Sequence, residues 1–149
     1  MIRRATLDDV PEIARLGELF HAEAGWGDIV EYSIPDTEKT LAHLVESDDG
    51  ILFVADRDGE IVGMCGGLAH PVYFNHSCKG GQELFWWMRP GLRDGTGWLL
   101  LEAMENEARR IGCLSWSMIA LDKVNQELTG RLYRRRGYRA SEHSYIKRL

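Results

Sequence analysis

Apolar residues near the start of the chain fall at Val10, Ile13, Gly17, Phe20 and Ala24, steps of three and four that put them on one helical face. Thr6 followed by Asp9 forms a capping-box variant, so the pattern predicts a helix from there to about Ala24. "AGWGDIVEYSIP" has no period and reads as a loop; a second helix is expected from about Asp36 to Ser47, with Leu41, Leu44 and Val45 inward. "ILFVAD" and "IVGMCGGLAH" flank Asp58-Gly59 and predict a hairpin. "HPVYFNHSCKGG" reads as a polar loop. "QELFWWMR" is apolar on both alternating faces, as in a strand covered on both sides.

A third helix should open after Gly95 and Gly97 and run to about Ile111, where Gly112 ends it. The strand "LSWSMIAL", a helix from about Gln126 to Arg136 with Gly137 as its cap, and a closing strand "SYIKRL" complete the chain. With "MIRRAT" as a first strand, the order is β-α-α-β-β-β-α-β-α-β, a mixed α/β fold with helices on both faces of one sheet. Ligands in such sheets sit beyond the carboxyl ends of the strands. No repeat or linker interrupts the 149 residues, which fit one domain, 1–149.

Composition narrows the class. The apolar share is 44% and the charged share 28%, ordinary for a globular protein. No run approaches a membrane span, and "MIRRATLDDVPEIARL" lacks the apolar core of a signal peptide. Cys65, Cys78 and Cys113 are odd in number and scattered, which suits a reducing cytoplasm better than a disulfide framework. The net charge of −5 divides unevenly: residues 1–60 carry fifteen acidic against five basic residues, and 61–149 carry eight against thirteen. That split suggests one surface for an anion and another for a cation, or else merely two solvated faces.

The candidate anion site lies at the mouth of the third helix. Glycine there is about 1 kcal/mol worse than alanine, a cost with a purpose where backbone must approach a ligand closely. Helix N-termini bind anions through unpaired N–H groups and the macrodipole. A plain tight turn is the alternative. The P-loop pattern fails because Trp98-Leu99 follows the last glycine, and the dinucleotide pattern fails because Leu100 stands where its third glycine belongs.

Met88-Arg89-Pro90, Arg93, Gly95-Thr96-Gly97 and the apolar helix after them resemble the pyrophosphate-binding segment of the GNAT superfamily of acetyl-CoA-dependent N-acetyltransferases. "LYRRRGY", Leu132 to Tyr138, resembles that family's second landmark, and the order of elements agrees over nearly the whole chain. The resemblance implies a mostly antiparallel sheet and acetyl-CoA as co-substrate. The pyrophosphate would rest on backbone N–H groups of Asp94, Gly95, Thr96, Gly97 and Trp98, with Arg93 adding charge. Met88, or a neighbour, would offer a free N–H to the thioester oxygen. Two spacings depart from the family: one residue, not two, separates Arg93 from Gly95, and Asn125 lies eight rather than seven residues before Tyr133. Asn125 is retained as a cofactor contact.

Amide formation from a thioester needs a neutral amine, a stabilised oxyanion and a proton for the leaving thiolate. The resemblance makes Tyr133 the proton donor; a buried aromatic with a satisfied hydroxyl is the plain alternative. Glu83, the sole carboxylate of "QELFWWMR", is the candidate base or a solvated strand-end glutamate. Trp26, Asp28, Glu31 and Tyr32 lie where the resembled fold holds its acceptor, and carboxylates beside aromatics fit a small cationic amine or peptide amine. His70, His76 and Cys78 share a loop without a second pair at metal spacing, so no metal is expected. "RLYRRRGYR" is confined to one helix end of an acidic protein, which argues against nucleic acid. The expected state is monomer or homodimer. The competing function is a non-catalytic acyl-CoA-binding or regulatory module.

Overall fold

The computed structural model describes residues 1–123 and 126–149. In chain order the elements are β1 (Ile2–Arg4), α1 (Val10–Ala24), α2 (Ile34–Glu46), β2 (Gly50–Arg57), β3 (Glu60–Val72), β4 (Asn75–Met88), α3 (Thr96–Arg110), β5 (Cys113–Ser117) and α4 (Gln126–Arg135). The five strands form one sheet in the order β1-β2-β3-β4-β5. Every neighbouring pair is antiparallel except β4 and β5, which run parallel and are joined through α3.

Strand alternation divides the apolar residues between two cores. On β2, Leu52 and Val54 face α1 and α2 with Ile13, Leu41 and Leu44, while Ile51 and Ala55 face α3 with Leu100, Leu101 and Met104. Each of these side chains larger than alanine contributes about 1.5–3 kcal/mol through burial. The Thr6 N–H donates to Asp9 Oδ2 at 2.8 Å, the expected capping exchange, although a short 3₁₀ turn over Leu7–Asp9 precedes α1. Gly25, at φ 76°, ends that helix.

Outside β5, three elements depart from the sequence reading. Helix α2 begins at Ile34, because Ser33 caps it and Pro35 sits in its first turn, where a missing N–H costs nothing. "HPVYFNHSCKGG" is no loop: it completes β3, turns at Tyr73-Phe74 and begins β4. Gly81 within it, and Gly67 on β3, make room for Trp116 on β5. A Cβ on Gly81 would lie 2.3 Å from the Trp116 ring, and one on Gly67 2.5 Å from it. The expected strand "SYIKRL" does not form; residues 139–149 are exposed with no sheet partner to take their hydrogen bonds.

Candidate active site

β4 and β5 stay paired only from Lys79–Cys113 to Gln82–Ser117. Beyond that point β5 ends while β4 continues to Met88, so among the described residues the edge of 83–88 that faces away from β3 has no strand beside it. The Arg89 N–H donates to Val62 O on the β3 side. Strand alternation therefore turns the N–H groups of Met88 and Trp86 to the open edge. Trp86 is a functional candidate that the sequence reading missed. Only the residue at which β5 stops reveals it, and "LSWSMIAL" was expected to continue to Leu121, past the actual end at Ser117.

A register shift lies at the parting point. Gly66 pairs with Phe85 and Gly67 with Glu83, leaving Leu84 unopposed. This bulge re-aims the strand. Leu84 and Phe85 both border a cavity on the α1–α2 side, whereas Glu83 turns to the other face. Simple alternation would have put Glu83 with Phe85. The bulge instead brings it to Tyr133.

Glu83 and Tyr133 are only 5% and 7% exposed. The Ile119 peptide joins them: its N–H donates to Glu83 Oε2 at 2.9 Å, and its carbonyl accepts from Tyr133 Oη at 2.9 Å. Burial pushes the Glu83 carboxyl up to about 7, with the Ile119 N–H opposing. Burial also lifts the Tyr133 phenol well above its usual value, and the nearby Glu83 charge adds to the shift. The Tyr133 ring stands 5.9 Å from Trp86 and 5.6 Å from Tyr138, centroid to centroid. Glu83 is therefore not the solvated strand-end residue of the plainer reading.

At the mouth of α3, Gly95 adopts φ 96°, a left-handed conformation in which a side chain is strained. Gly97 serves packing as well: a Cβ there would lie 3.2 Å from Met88 Cγ and 3.6 Å from the Trp86 ring, whose Nε1 donates to Gly97 O at 2.9 Å. Of the five expected amide donors, two are taken internally. The Thr96 N–H goes to Asp94 Oδ1 at 3.2 Å, and the Trp98 N–H to Gly95 O at 3.0 Å. Among the described residues no acceptor faces the N–H groups of Gly95 and Gly97. These two, at the positive end of a helix macrodipole, fit a pyrophosphate.

The side chains around the loop are arranged differently from the expectation. Asp94 turns its carboxylate back on the helix; the Thr96 hydroxyl at 2.6 Å and Arg57 Nη2 at 2.7 Å hold it well below the usual carboxylate range. Arg93 points elsewhere, donating to Glu23 Oε1 at 2.5 Å and to Met88 O at 3.3 Å. Trp87 Nε1 donates to the other Glu23 oxygen at 2.6 Å, so Glu23 on α1 ties the end of β4 to the loop that follows. Partial burial works against ionisation of Glu23, but the Arg93 and Trp87 bonds prevail and keep its carboxyl low. The cation beside the glycines is Arg57, from β2, which nothing in the local motif indicates.

On the acceptor side, the expected four residues separate into pairs. Trp26 and Tyr32 line the cavity of about 200 Å³ with Gly17, Phe20, Leu84 and Phe85. Asp28 instead pairs with Lys123 at 2.7 Å on the surface, and Glu31 is exposed. Asn125 lies outside the described residues. Among the described residues no cluster of three His, Cys, Asp or Glu is arranged to hold a metal, and no helix is long and apolar enough to cross a membrane.

Residues 15–138 match the model of the acetyltransferase (GNAT) family. No curated protein sequence matches the chain. Among solved structures, a predicted acetyltransferase from Clostridium acetobutylicum, determined with acetyl-CoA, superposes with a TM-score of 0.79 at 15% identity, over 100% of this chain and 96% of that one. A transcriptional regulator from Bacillus halodurans C-125 gives 0.78 at 21% identity, covering 100% and 99%. The ribosomal-protein-alanine N-acetyltransferase from Brucella melitensis biovar Abortus 2308 gives 0.70 at 20%, covering 100% and 99%. Likenesses at such identity establish the fold.

Proposed function

Because this chain belongs to the GNAT family of acetyltransferases, we propose that it moves an acetyl group from acetyl-CoA to a primary amine at the parting of β4 and β5. One observation carries the reading: the Ile119 peptide holds a carboxyl of pKa about 7 and a protonated phenol beside an open strand edge. Bound acetyl-CoA would supply an activated acetyl thioester. The N–H groups of Gly95 and Gly97, with Arg57 nearby, hold its pyrophosphate. One of the two open-edge N–H groups, that of Trp86 or of Met88, donates to the acetyl oxygen as negative charge grows there; at two residues' spacing along a strand they do not reach the same atom.

Glu83 takes the proton that the acceptor nitrogen loses, and a pKa about 7 suits a base working near neutrality. Tyr133 carries its proton throughout that range and gives it to the departing sulfur. The acceptor's ammonium form first sheds one proton to solvent; a second then leaves nitrogen for Glu83, and one arrives on sulfur from Tyr133, as the N–C bond replaces the C–S bond. The acceptor is a cation in bulk water, since alkylamines resemble lysine with a pKa of about 10.4, and the acidic N-terminal half draws it in. Three free thiols suit a reducing compartment, the cytoplasm.

A second reading, an acyl-CoA-binding module without turnover, is favoured by the Asp94 carboxylate, a negative charge at the mouth of the anion site. Its pairing with Arg57 offsets that charge. Turnover by the wild type separates the readings, and the Tyr133→Phe variant then tests the proton route. Loss of a general acid should lower kcat by roughly 10²–10⁴ while acetyl-CoA affinity holds. Wild-type turnover in this variant would remove Tyr133 from the proton route.

A further inference from the structure

The α1–α2 cavity has the wrong chemistry for a polycation. Its walls are Ile13, Phe20, Leu41, Met64, Leu84 and Phe85, closed by Trp26 and Tyr32. The Tyr32 hydroxyl is already spent on Ala14 O at 2.6 Å, the Thr40 hydroxyl on Asp36 O at 3.2 Å, and His21 Nε2 on Val30 O at 2.9 Å. No carboxylate belongs to the lining. Of the acidic residues around it, Asp28 is committed to Lys123 and Glu23 to Arg93 and Trp87, and Glu18, whose charge reaches the Tyr32 hydroxyl, is exposed outside the lining.

The cavity is nonetheless a constructed feature. Gly17 lies within α1, where glycine weakens a helix, and a Cβ there would stand 2.3 Å from Tyr32 Oη. Its absence lets the Tyr32 ring cross the helix and form one wall. The rim is open to solvent, with Trp26 38% and Leu84 44% exposed. A volume of about 200 Å³ suffices for one phenyl ring, since an apolar cavity of about 150 Å³ accepts benzene. The cavity also adjoins the reaction site. Leu84 and Phe85 point into it from the bulge whose flanking residues, Glu83 and Trp86, face Tyr133.

Resting on the acetyl-transfer reading, we infer that this cavity receives the acceptor's apolar group, so that the substrate class is a primary amine bearing one compact aryl or branched alkyl substituent. With that group seated against Leu84 and Phe85, an amine a few bonds away meets the open edge of β4. Burying a second charged group in the same lining would leave it without a partner.

The test compares kcat/KM for 2-phenylethylamine, methylamine, spermidine and the tripeptide amides Phe-Gly-Gly and Gly-Gly-Gly. Phenylethylamine should exceed methylamine by roughly 100-fold, within reach of a pocket that gains 10–200-fold per methylene. The Trp26→Ala variant should lose about tenfold on phenylethylamine and keep its acetyl-CoA affinity. Whether the Phe-led peptide or the free amine reacts faster tells a peptide N-terminus from a small molecule. Methylamine or spermidine matching phenylethylamine would overturn the inference and leave the transferase reading intact. Absence of CoA release with every amine would overturn the transferase reading instead. In that event a fluorescence titration decides the cavity alone: saturable quenching by phenylethylamine, lost in Trp26→Ala, upholds it, and quenching unchanged in that variant overturns it.

Discussion

Glu83 carries the clearest signature of a single residue under constraint. Its carboxyl is buried, and its folded pKa of about 7 exceeds the ordinary 4.5. A raised carboxylate pKa means that the unfolded chain ionises first as pH climbs. The associated stability is complete below about pH 4.5 and is lost as pH rises to about 7, a loss on the order of 3 kcal/mol. Glu83→Gln keeps an acceptor for the Ile119 N–H and does not titrate. Denaturant unfolding should show the variant gaining on the wild type between about pH 4 and pH 8, then levelling off. A difference that stays flat across that range would mean Glu83 is not held neutral by burial. The same residue sets a kinetic limb: kcat/KM, reckoned on the neutral form of the amine, should rise with pH through about 7 in the wild type, and Glu83→Gln should lack that rise. The sequence supplied the identity of Glu83 but not its orientation. A bulge at Leu84 adds one residue to the count, and no periodicity of β4 announces it.

At the level of elements, the opening of α3 and the end of β5 build the site between them. Gly95 is required by backbone conformation and Gly97 by its approach to Met88 and Trp86. Gly95→Val should therefore leave the protein folded, with a strain of about 1–2 kcal/mol, while weakening acetyl-CoA binding about tenfold by calorimetry. Gly97→Val should lower thermal stability more, because its Cβ meets packed side chains. Arg57→Ala should weaken acetyl-CoA binding several-fold, whereas Arg93→Ala, which removes a partner of Glu23, should barely change it. The reverse order would restore Arg93 to the phosphate. Helix periodicity and the Asp58-Gly59 turn made α1, α3 and the β2–β3 hairpin readable from sequence. The glycines of "HPVYFNHSCKGG" misled, since glycine signals a turn as readily as space for Trp116 across a sheet. "SYIKRL" has strand-like residues, but pairing depends on a neighbour that local pattern cannot supply.

Over the whole molecule, the sheet separates α3 and Tyr133 from the α1–α2 cavity. The basic C-terminal half contributes α3, Tyr133 and the glycine loop, and the acidic N-terminal half contributes the α1–α2 cavity. Glu31 remains exposed there, while Asp28 is neutralised by Lys123. Steering of a cationic amine should consequently be modest: kcat/KM should fall as salt shortens the Debye length toward about 8 Å, and Glu31→Gln should reduce that fall. An anionic amine preferred at low salt would make the acidic half mere solvated surface. The family and the sheet were readable because two landmarks stood at the proper separation. The acceptor rests on charge that local pattern only half reveals: of the two carboxylates singled out, Asp28 is paired with Lys123 and Glu31 is exposed. Every role assigned to these residues depends on acetyl transfer. Its most direct test is amine-dependent release of CoA thiol from acetyl-CoA by the purified protein, with the acetylated amine quantified by mass. Acetyl transfer should yield thiol and acetylated amine in equal amounts; acetyl-CoA that binds tightly yet yields neither with any amine would contradict it.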